Sequence, residues 1–152
     1  MLSQEIRDRA LRILEIRDHS AKELTDKLVR KGETPEDAEA CVAWLCELGF
    51  IDDERYAAAL ARRYTAKGYG AGRIRQELAK RGVDRALWED ALGALPEEKN
   101  ELDRLVQANL GGLDDRKELK RFTDRLLRRG FTWSEIREAL ARNRAGEGIW
   151  DG

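Results

Sequence analysis

The chain has 152 residues, of which 39% are charged and 41% are hydrophobic, and its formal net charge is −1 at pH 7. No stretch approaches the roughly 18 to 20 apolar residues that a membrane span needs, and the N-terminus has no apolar signal region, so we expect a cytoplasmic protein with no membrane partner. The two cysteines, Cys41 and Cys46, are five positions apart and form no CxxC pair, so we expect buried structural thiols and no disulfide framework.

Three helices are predicted in the first third of the chain. A first helix over about 4–18 is indicated by an apolar face at helical spacing. Ser20 followed by Glu23 is typical of a capping box and predicts the start of the second helix, and Thr34-Pro35 predicts the start of the third. The single histidine, His19, directly precedes the Ser20 cap, so we expect it at a helix junction.

The fourth helix is predicted over about 53–67, with Asp52-Asp53 as its start. The glycine-rich segment 68–72 follows and joins two helices. We expect a flexible interhelical linker there, and a contact with phosphate or nucleic acid is the alternative. A seventh helix is predicted over about 97–110, and Thr132 or Ser134 starts the ninth.

A repeat organises these helices. Three segments consist of a leucine, a small or apolar residue, two basic residues and a glycine, and the glycines are 50 and then 48 residues apart: Leu28–Gly32, Leu78–Gly82 and Leu126–Gly130. Glycine suits the left-handed residue that commonly ends a helix, and basic residues suit the negative end of the helix dipole. Apolar residues recur six, nine and ten positions after each glycine, which predicts a further helix.

We therefore predict an all-α fold of three tandem three-helix repeats, nine helices in all, stacked as an elongated curved array. The predicted boundaries are 1–50, 51–95 and 96–145, and a flexible tail covers 146–152. Arrays of this kind suit binding better than chemistry.

Charge is unevenly spread along the chain. Residues 1–50 carry 8 basic and 11 acidic groups, whereas residues 62–85 carry 8 basic and 2 acidic groups, and residues 116–129 carry 7 and 2. The alternative explanation is that such runs are the solvated face of a helix, but ion pairs along an exposed helix would mix the signs. We predict binding to a partner or to DNA through these candidates: Arg62, Arg63, Lys67, Arg73, Arg75, Lys80, Arg81, Lys117, Lys120, Arg121, Arg125, Arg128 and Arg129.

Catalytic signatures are missing from the sequence. One histidine and two separated cysteines do not supply a nucleophilic triad or a metal site, and no Walker-type phosphate loop is present. Helix capping explains the Asp52-Asp53 pair without a catalytic role. We expect neither an enzyme nor a cofactor nor a metal.

Four stretches occur in order along the chain: Ala10–Leu14 followed by His19–Leu24 and Leu28–Gly32, then Leu48–Ala57, Gly70–Val83 and Phe122–Leu140. They resemble motifs of the RecX family of regulatory proteins, which modulate the RecA recombinase. The resemblance covers about 5–143 and is quite specific because all motifs occur in order, although each is weak alone. The segment 68–72 departs from it, since it lacks a proline often found there, which leaves the angle between the first two repeats open.

The resemblance implies a fold of three three-helix repeats and a function that the residues alone do not give. Family members bind the RecA filament on single-stranded DNA, lie along its groove and inhibit ATP hydrolysis, strand exchange and co-protease activity, with no catalysis of their own. The expected roles are thus in recombination, DNA repair and the SOS response, the expected partners are the RecA filament and single-stranded DNA, and a monomer is expected.

Two other functions stay open. The chain could be a plain nucleic-acid-binding protein, because three-helix units resemble helix-turn-helix modules; tight binding to DNA without RecA would favour that function, and the near-zero net charge argues mildly against it. It could also be a generic helical adaptor, which salt-insensitive binding through an apolar surface would favour.

Overall fold

The computed structural model describes residues 2–95 and 98–144. Over these residues the chain forms nine α-helices, two short 3-10 helices and no strand, which confirms the predicted all-α class. The 3-10 helices are Arg85–Leu87 and Leu110–Gly112. The α-helices are α1 (Gln4–Ile16), α2 (Ala21–Arg30), α3 (Pro35–Glu47), α4 (Asp53–Ala66), α5 (Ala71–Lys80), α6 (Trp88–Gly93), α7 (Glu98–Asn109), α8 (Arg116–Arg128) and α9 (Trp133–Arg144).

Side chains cap the helices largely as predicted. At α2 the capping box is complete, since Ser20 accepts from the Glu23 N–H and Glu23 accepts from the Ser20 N–H. Thr34 caps α3. At α9 the cap is Thr132, and not Ser134: its hydroxyl accepts from the Glu135 N–H at 3.1 Å. These caps satisfy backbone donors that would otherwise have no intrahelical partner.

The glycine register correctly predicts the apolar core of the second helix in each repeat. The leucines four positions before Gly32, Gly82 and Gly130 are at most 1% exposed. The residues eight positions before the glycines are also buried, and all three glycines have a positive φ, between 75° and 107°. Each second helix therefore ends at a left-handed glycine, as the register predicts.

The described residues divide into two compact units. The first unit comprises the described part of Met1–Ala59 together with Leu78–Ala91. Its core is formed by α1, α2 and α3, and it contains Ile6, Ala10, Ile13, Leu24, Leu28, Ala38, Cys41, Val42, Leu45 and Ile51. Burial of these side chains holds the three helices together. Each of the larger side chains contributes about 1.5–3 kcal/mol to the free energy of unfolding.

The second unit comprises Leu60–Glu77 and the described part of Leu92–Gly152. The turn before α8 is joined to the last residue of α9 by an ion pair of 2.8 Å between Asp114 and the buried guanidinium of Arg144. Its core lies between α7, α8 and α9, and it contains Leu102, Val106, Leu113, Phe122, Leu126, Phe131, Ile136, Ala139 and Leu140.

A helix end meets a helix start inside each unit. In the first unit the Ser20 hydroxyl, at the start of α2, donates to the carbonyl of Arg81, just after α5. In the second unit the Gly70 and Gly72 N–H groups, at the start of α5, donate to the carbonyls of Arg129 and Gly130, just after α8, at 2.7 and 3.1 Å. The repeat thus brings the positive start of one second helix to the negative end of the next.

This contact corrects the prediction of a flexible linker at 68–72. A Cβ atom on Gly70 would lie 2.7 Å from the Gly130 carbonyl carbon, and one on Gly72 would lie 2.9 Å from the Gly130 oxygen. The glycines are needed because two backbones approach closely, and not because the segment must be flexible.

Two further predictions have a different outcome. Cys41 is buried as expected, but Cys46 is exposed on α3, so only one of the two thiols is part of the core. The predicted tail 146–152 lies outside the described residues. The domain boundaries at 50 and 95 stay a prediction.

Candidate partner-binding surface

Helix α8 has one apolar and one basic face. Asp115 caps its start by accepting from the Lys117 N–H at 2.9 Å. Phe122, Thr123 and Leu126 are buried against the rest of the second unit. The predicted basic residues of α8 therefore lie on the opposite side, where all five are exposed: Lys117, Lys120, Arg121, Arg125 and Arg128. We call these five side chains the α8 basic face.

Local acidic residues neutralise only part of the α8 basic face. Lys120 pairs with Asp124 at 3.2 Å and Arg121 pairs with Glu118 at 2.7 Å, and all four side chains are substantially exposed. Exposed pairs of this kind contribute only about 0–1 kcal/mol, so a partner can compete for them at low cost. Lys117 and Arg128 have no ionic partner among the described residues. The face keeps an excess of positive charge that is available to an anionic surface.

In the other predicted basic segment, residues 62–85, some basic side chains are exposed and others are half-buried. Arg62 and Arg63 are exposed on α4, and Lys80 is exposed near the end of α5. Arg75 is half-buried, and its side chain is already engaged in an interaction within the protein. Arg81 is also half-buried, and it donates a hydrogen bond to the Tyr56 hydroxyl at 2.8 Å. The sequence count of eight basic groups thus overstates the charge that this segment offers to a partner.

Three predicted basic residues lie against two tyrosines that the sequence analysis did not single out. The guanidinium groups of Arg73 and Arg129 lie 5.3 and 5.6 Å from the centre of the Tyr69 ring. The rings of Tyr69 and Tyr64 pack in a T-shaped arrangement with their centres 5.4 Å apart, and the centre of the Tyr64 ring lies 5.8 Å from the Lys67 ammonium group. Such cation–π contacts are worth about 0.5–1 kcal/mol at exposed sites.

Arg129 also acts as a clamp on the segment before α5. Its guanidinium donates to the carbonyl oxygens of Lys67 and Gly68 at 3.1 and 3.4 Å. A Cβ atom on Gly68 would lie 2.6 Å from the same group, so a side chain there would displace it. Arg73 is similarly engaged by Glu77 at 3.3 Å. Arg73 and Arg129 therefore stabilise the fold, and the α8 basic face is the better candidate for binding.

A polar network in the first unit includes Glu23 of α2 and the Asp52-Asp53 pair at the start of α4. The Tyr56 hydroxyl donates to Glu23 at 2.7 Å, and the Ala21 N–H donates to Asp53 at 2.9 Å. Asp53 was expected to start its own helix, but its carboxylate caps α2, whereas Asp52 accepts from the Arg55 N–H at 3.2 Å and caps α4. The pair is thus structural, as the sequence suggested, with two different helices as its targets.

The network shifts the pKa of two of its groups. Burial favours the protonated form of Glu23, but hydrogen bonds from Ser20 and Tyr56 and the charge of Arg17 outweigh it, so the pKa of this carboxyl lies below its ordinary value. Burial raises the pKa of Tyr56, and its hydrogen bond to Glu23 adds to the rise. Glu23 therefore remains an anion that accepts hydrogen bonds.

His19 lies at the helix junction as predicted. The residue is 3% exposed, and its Nδ1 donates to the Arg17 carbonyl at 2.9 Å. Nε2 is buried and has no hydrogen-bond partner among the described residues. Burial lowers the pKa of His19, which favours the neutral ring.

Neither a metal site nor a membrane span is evident in the part of the chain that the structure describes. No group of three or more His, Cys, Asp or Glu side chains there could hold a metal ion. Its helices are also too short or too polar to cross a bilayer. The arrangement instead offers charged surfaces for binding.

Comparison with protein families gives two matches. A family described as "RecX, first three-helix domain" matches residues 7–45, and one described as "RecX, second three-helix domain" matches residues 52–92. Together the two matches cover more than half of the chain.

Whole-chain relatives carry the name "Regulatory protein RecX". The protein from Halorhodospira halophila is 37% identical over 147 residues, which cover 91% of this chain and 88% of the relative. The one from Vibrio vulnificus is 36% identical, with 89% and 90% covered, and the one from Xanthomonas axonopodis pv. citri is 40% identical, with 86% and 83% covered.

Solved structures share the fold. The crystal structure of RecX from Lactobacillus salivarius superposes with a TM-score of 0.82 at 23% identity, and 93% of this chain and 96% of that chain are covered. A second crystal structure, of regulatory protein RecX, gives a TM-score of 0.78 at 22% identity, with 89% and 71% covered.

Proposed function

Because this chain belongs to the RecX family of regulatory proteins, we propose that it binds the RecA filament on single-stranded DNA and inhibits the activities of RecA. The inhibited activities are ATP hydrolysis, strand exchange and co-protease function, in recombination, DNA repair and the SOS response. The protein acts in the cytoplasm as a monomer, by binding and without catalysis of its own.

One observation supports a mechanism for this proposed function: the five side chains of the α8 basic face are all exposed. An anionic partner surface, either acidic protein or the DNA phosphates of the filament, would attract this face. Bound protein would then impede filament growth or the conformational change that accompanies ATP hydrolysis. The exposed Arg62, Arg63 and Lys80 are further contacts in this proposal.

The exposed apolar side chains among the described residues give little support to the alternative of a generic helical adaptor. Those with more than half of their surface exposed are Ile16, Leu48, Phe50 and Trp133. Single apolar residues at the surface are normal in a folded protein and need no partner to explain them. Charge, and not apolar area, is therefore the feature that we expect a partner to recognise.

The test is the rate of RecA ATP hydrolysis on single-stranded DNA, titrated with this protein well below one copy per RecA protomer. We expect clear inhibition at that ratio, because a protein acting through the filament affects many protomers. Simple competition for DNA would need far more protein. An unchanged rate would overturn the proposal.

A parallel measurement separates the nucleic-acid-binding alternative. Binding to single-stranded DNA without RecA is followed between about 50 and 200 mM salt. Tight binding whose logarithm falls steeply with the logarithm of salt concentration, together with no effect on RecA, would favour direct DNA binding through the same basic face.

A further inference from the structure

A groove in the first unit lies between the first half of α4 and the segment formed by Arg85–Leu87 and α6. Its volume is about 190 Å³. This is several times the roughly 30 Å³ share of one water molecule, but less than the roughly 300 Å³ of the smallest typical ligand pockets. The groove thus has room for one long side chain. It is lined by Glu54, Ala58, Leu87, Asp90 and Ala91.

The floor of the groove is apolar and contains Ala58 and Ala91. The groove is open because both side chains are small. Glu54 and Ala58 are one helical turn apart on α4, and Asp90 lies one turn after Leu87 on the opposite wall. Ala91 is buried at 5% exposure, and Leu87 and Ala58 are half-buried. An aliphatic stem can therefore lie along this floor and lose contact with water.

Two carboxylates border the apolar floor, one on each wall. Glu54 and Asp90 are exposed, and neither carboxylate makes a hydrogen bond or ion pair with any other described residue. An apolar occupant would remove water from both carboxylates without replacing it, which is costly. An occupant with a cationic end would pair with them and keep its stem on the alanines, as the side chains of lysine and arginine do elsewhere.

We propose that this groove receives a lysine or arginine side chain of the RecA filament; the inference rests on the proposed function and gives the interaction a second point of contact. The α8 basic face then contacts anionic surface, while the groove contacts a cation. Two contacts of opposite sign fix the orientation of a bound protein better than one charge can, since the wrong orientation brings like charges together.

The experiment measures binding of purified full-length protein to RecA filaments on immobilised single-stranded DNA. The double variant Glu54→Gln/Asp90→Asn removes both charges and keeps the shape. Ala58→Leu keeps both charges and fills the groove. Ala59→Leu is the matched control, because Ala59 is an exposed alanine next to Ala58 on the same helix. Thermal unfolding verifies that each variant folds.

We expect the double variant and Ala58→Leu each to raise the Kd for the filament about tenfold or more, with Ala59→Leu within about twofold of wild type. Wild-type affinity in both groove variants would overturn the inference. Filament binding by wild type in that case would leave the proposed function standing. No binding by wild type at all would overturn both together.

Discussion

The N–H of Gly70 donates a hydrogen bond of 2.7 Å to the carbonyl oxygen of Arg129, and this bond fixes the start of α5 to the end of α8. We expect Gly70→Ala to destabilise the protein by about 1–3 kcal/mol, because the added Cβ would meet the Gly130 backbone at 2.7–2.8 Å. Chemical denaturation measures the loss as a lower midpoint.

Gly93→Ala is the control for this prediction. Gly93 is the last residue of α6, and a Cβ atom there would have nothing within 4 Å. Alanine favours helix over glycine, so this variant should be neutral or slightly stabilised. Equal stability of the Gly70 and Gly93 variants would mean that the close approach at Gly130 is not required.

The hydroxyl of Tyr56 joins two charged side chains, since it donates to Glu23 and accepts from Arg81. We expect Tyr56→Phe to lower the free energy of unfolding by about 1–3 kcal/mol, because both charged groups lose a buried hydrogen-bond partner. Tyr64→Phe serves as the control, since the Tyr64 hydroxyl has no hydrogen bond to any described residue. Denaturant midpoints that are alike in the two variants would contradict the role of the network.

How far the sequence predicts the fold depends on how far apart the interacting residues are. The glycine register and the Ser20 capping box are local patterns, and the structure confirms both. The contact between Asp53 and Ala21 joins residues 32 positions apart, so the sequence shows a capping residue but not which helix it caps. The same holds for Gly70 and Gly72, whose partners follow α8.

The candidate site is predictable to a similar extent. Helical periodicity separates the α8 basic face from Phe122 and Leu126, so the exposure of its charges follows from sequence alone. Counting charges does not show that Arg73 and Arg129 lie against Tyr69, or that Arg81 reaches Tyr56.

Acid should destabilise the protein through His19. Burial, opposed by its hydrogen bond to Arg17 and aided by the charges of Arg17 and Lys27, puts its pKa below the ordinary 6.5. As pH falls below about 6.5, the unfolded chain binds a proton that the folded protein resists, so stability falls, by at most about 1.4 kcal/mol per unit of pKa depression. Glu23, whose pKa is also lowered from 4.5, adds a loss only at lower pH.

The measurement compares thermal unfolding of wild type and His19→Asn between pH 7.5 and 5. Asparagine keeps a donor for the Arg17 carbonyl but does not titrate in this range. We expect the wild-type Tm to fall with pH more steeply than that of the variant. Parallel pH curves for the two proteins would show that His19 is not the group responsible.

The α8 basic face leads to the prediction that bears most directly on function. Lys117 and Arg128 are exposed and have no ionic partner among the described residues, so reversing their charge breaks no ion pair there. We expect Lys117→Glu/Arg128→Glu to weaken binding to the RecA filament at least tenfold at about 0.1 M salt and to leave the Tm within a few degrees of wild type. Filament binding and thermal unfolding are both measured.

The control changes net charge by the same amount elsewhere. Arg12 on α1 and Arg137 on α9 are likewise exposed without an ionic partner among the described residues. If the α8 basic face binds the filament, Arg12→Glu/Arg137→Glu should retain affinity within about threefold, because long-range repulsion is screened beyond a Debye length of about 10 Å at that salt concentration. Equal weakening of both double variants would assign the effect to net charge, and wild-type affinity in the α8 variant would exclude this face from the interaction.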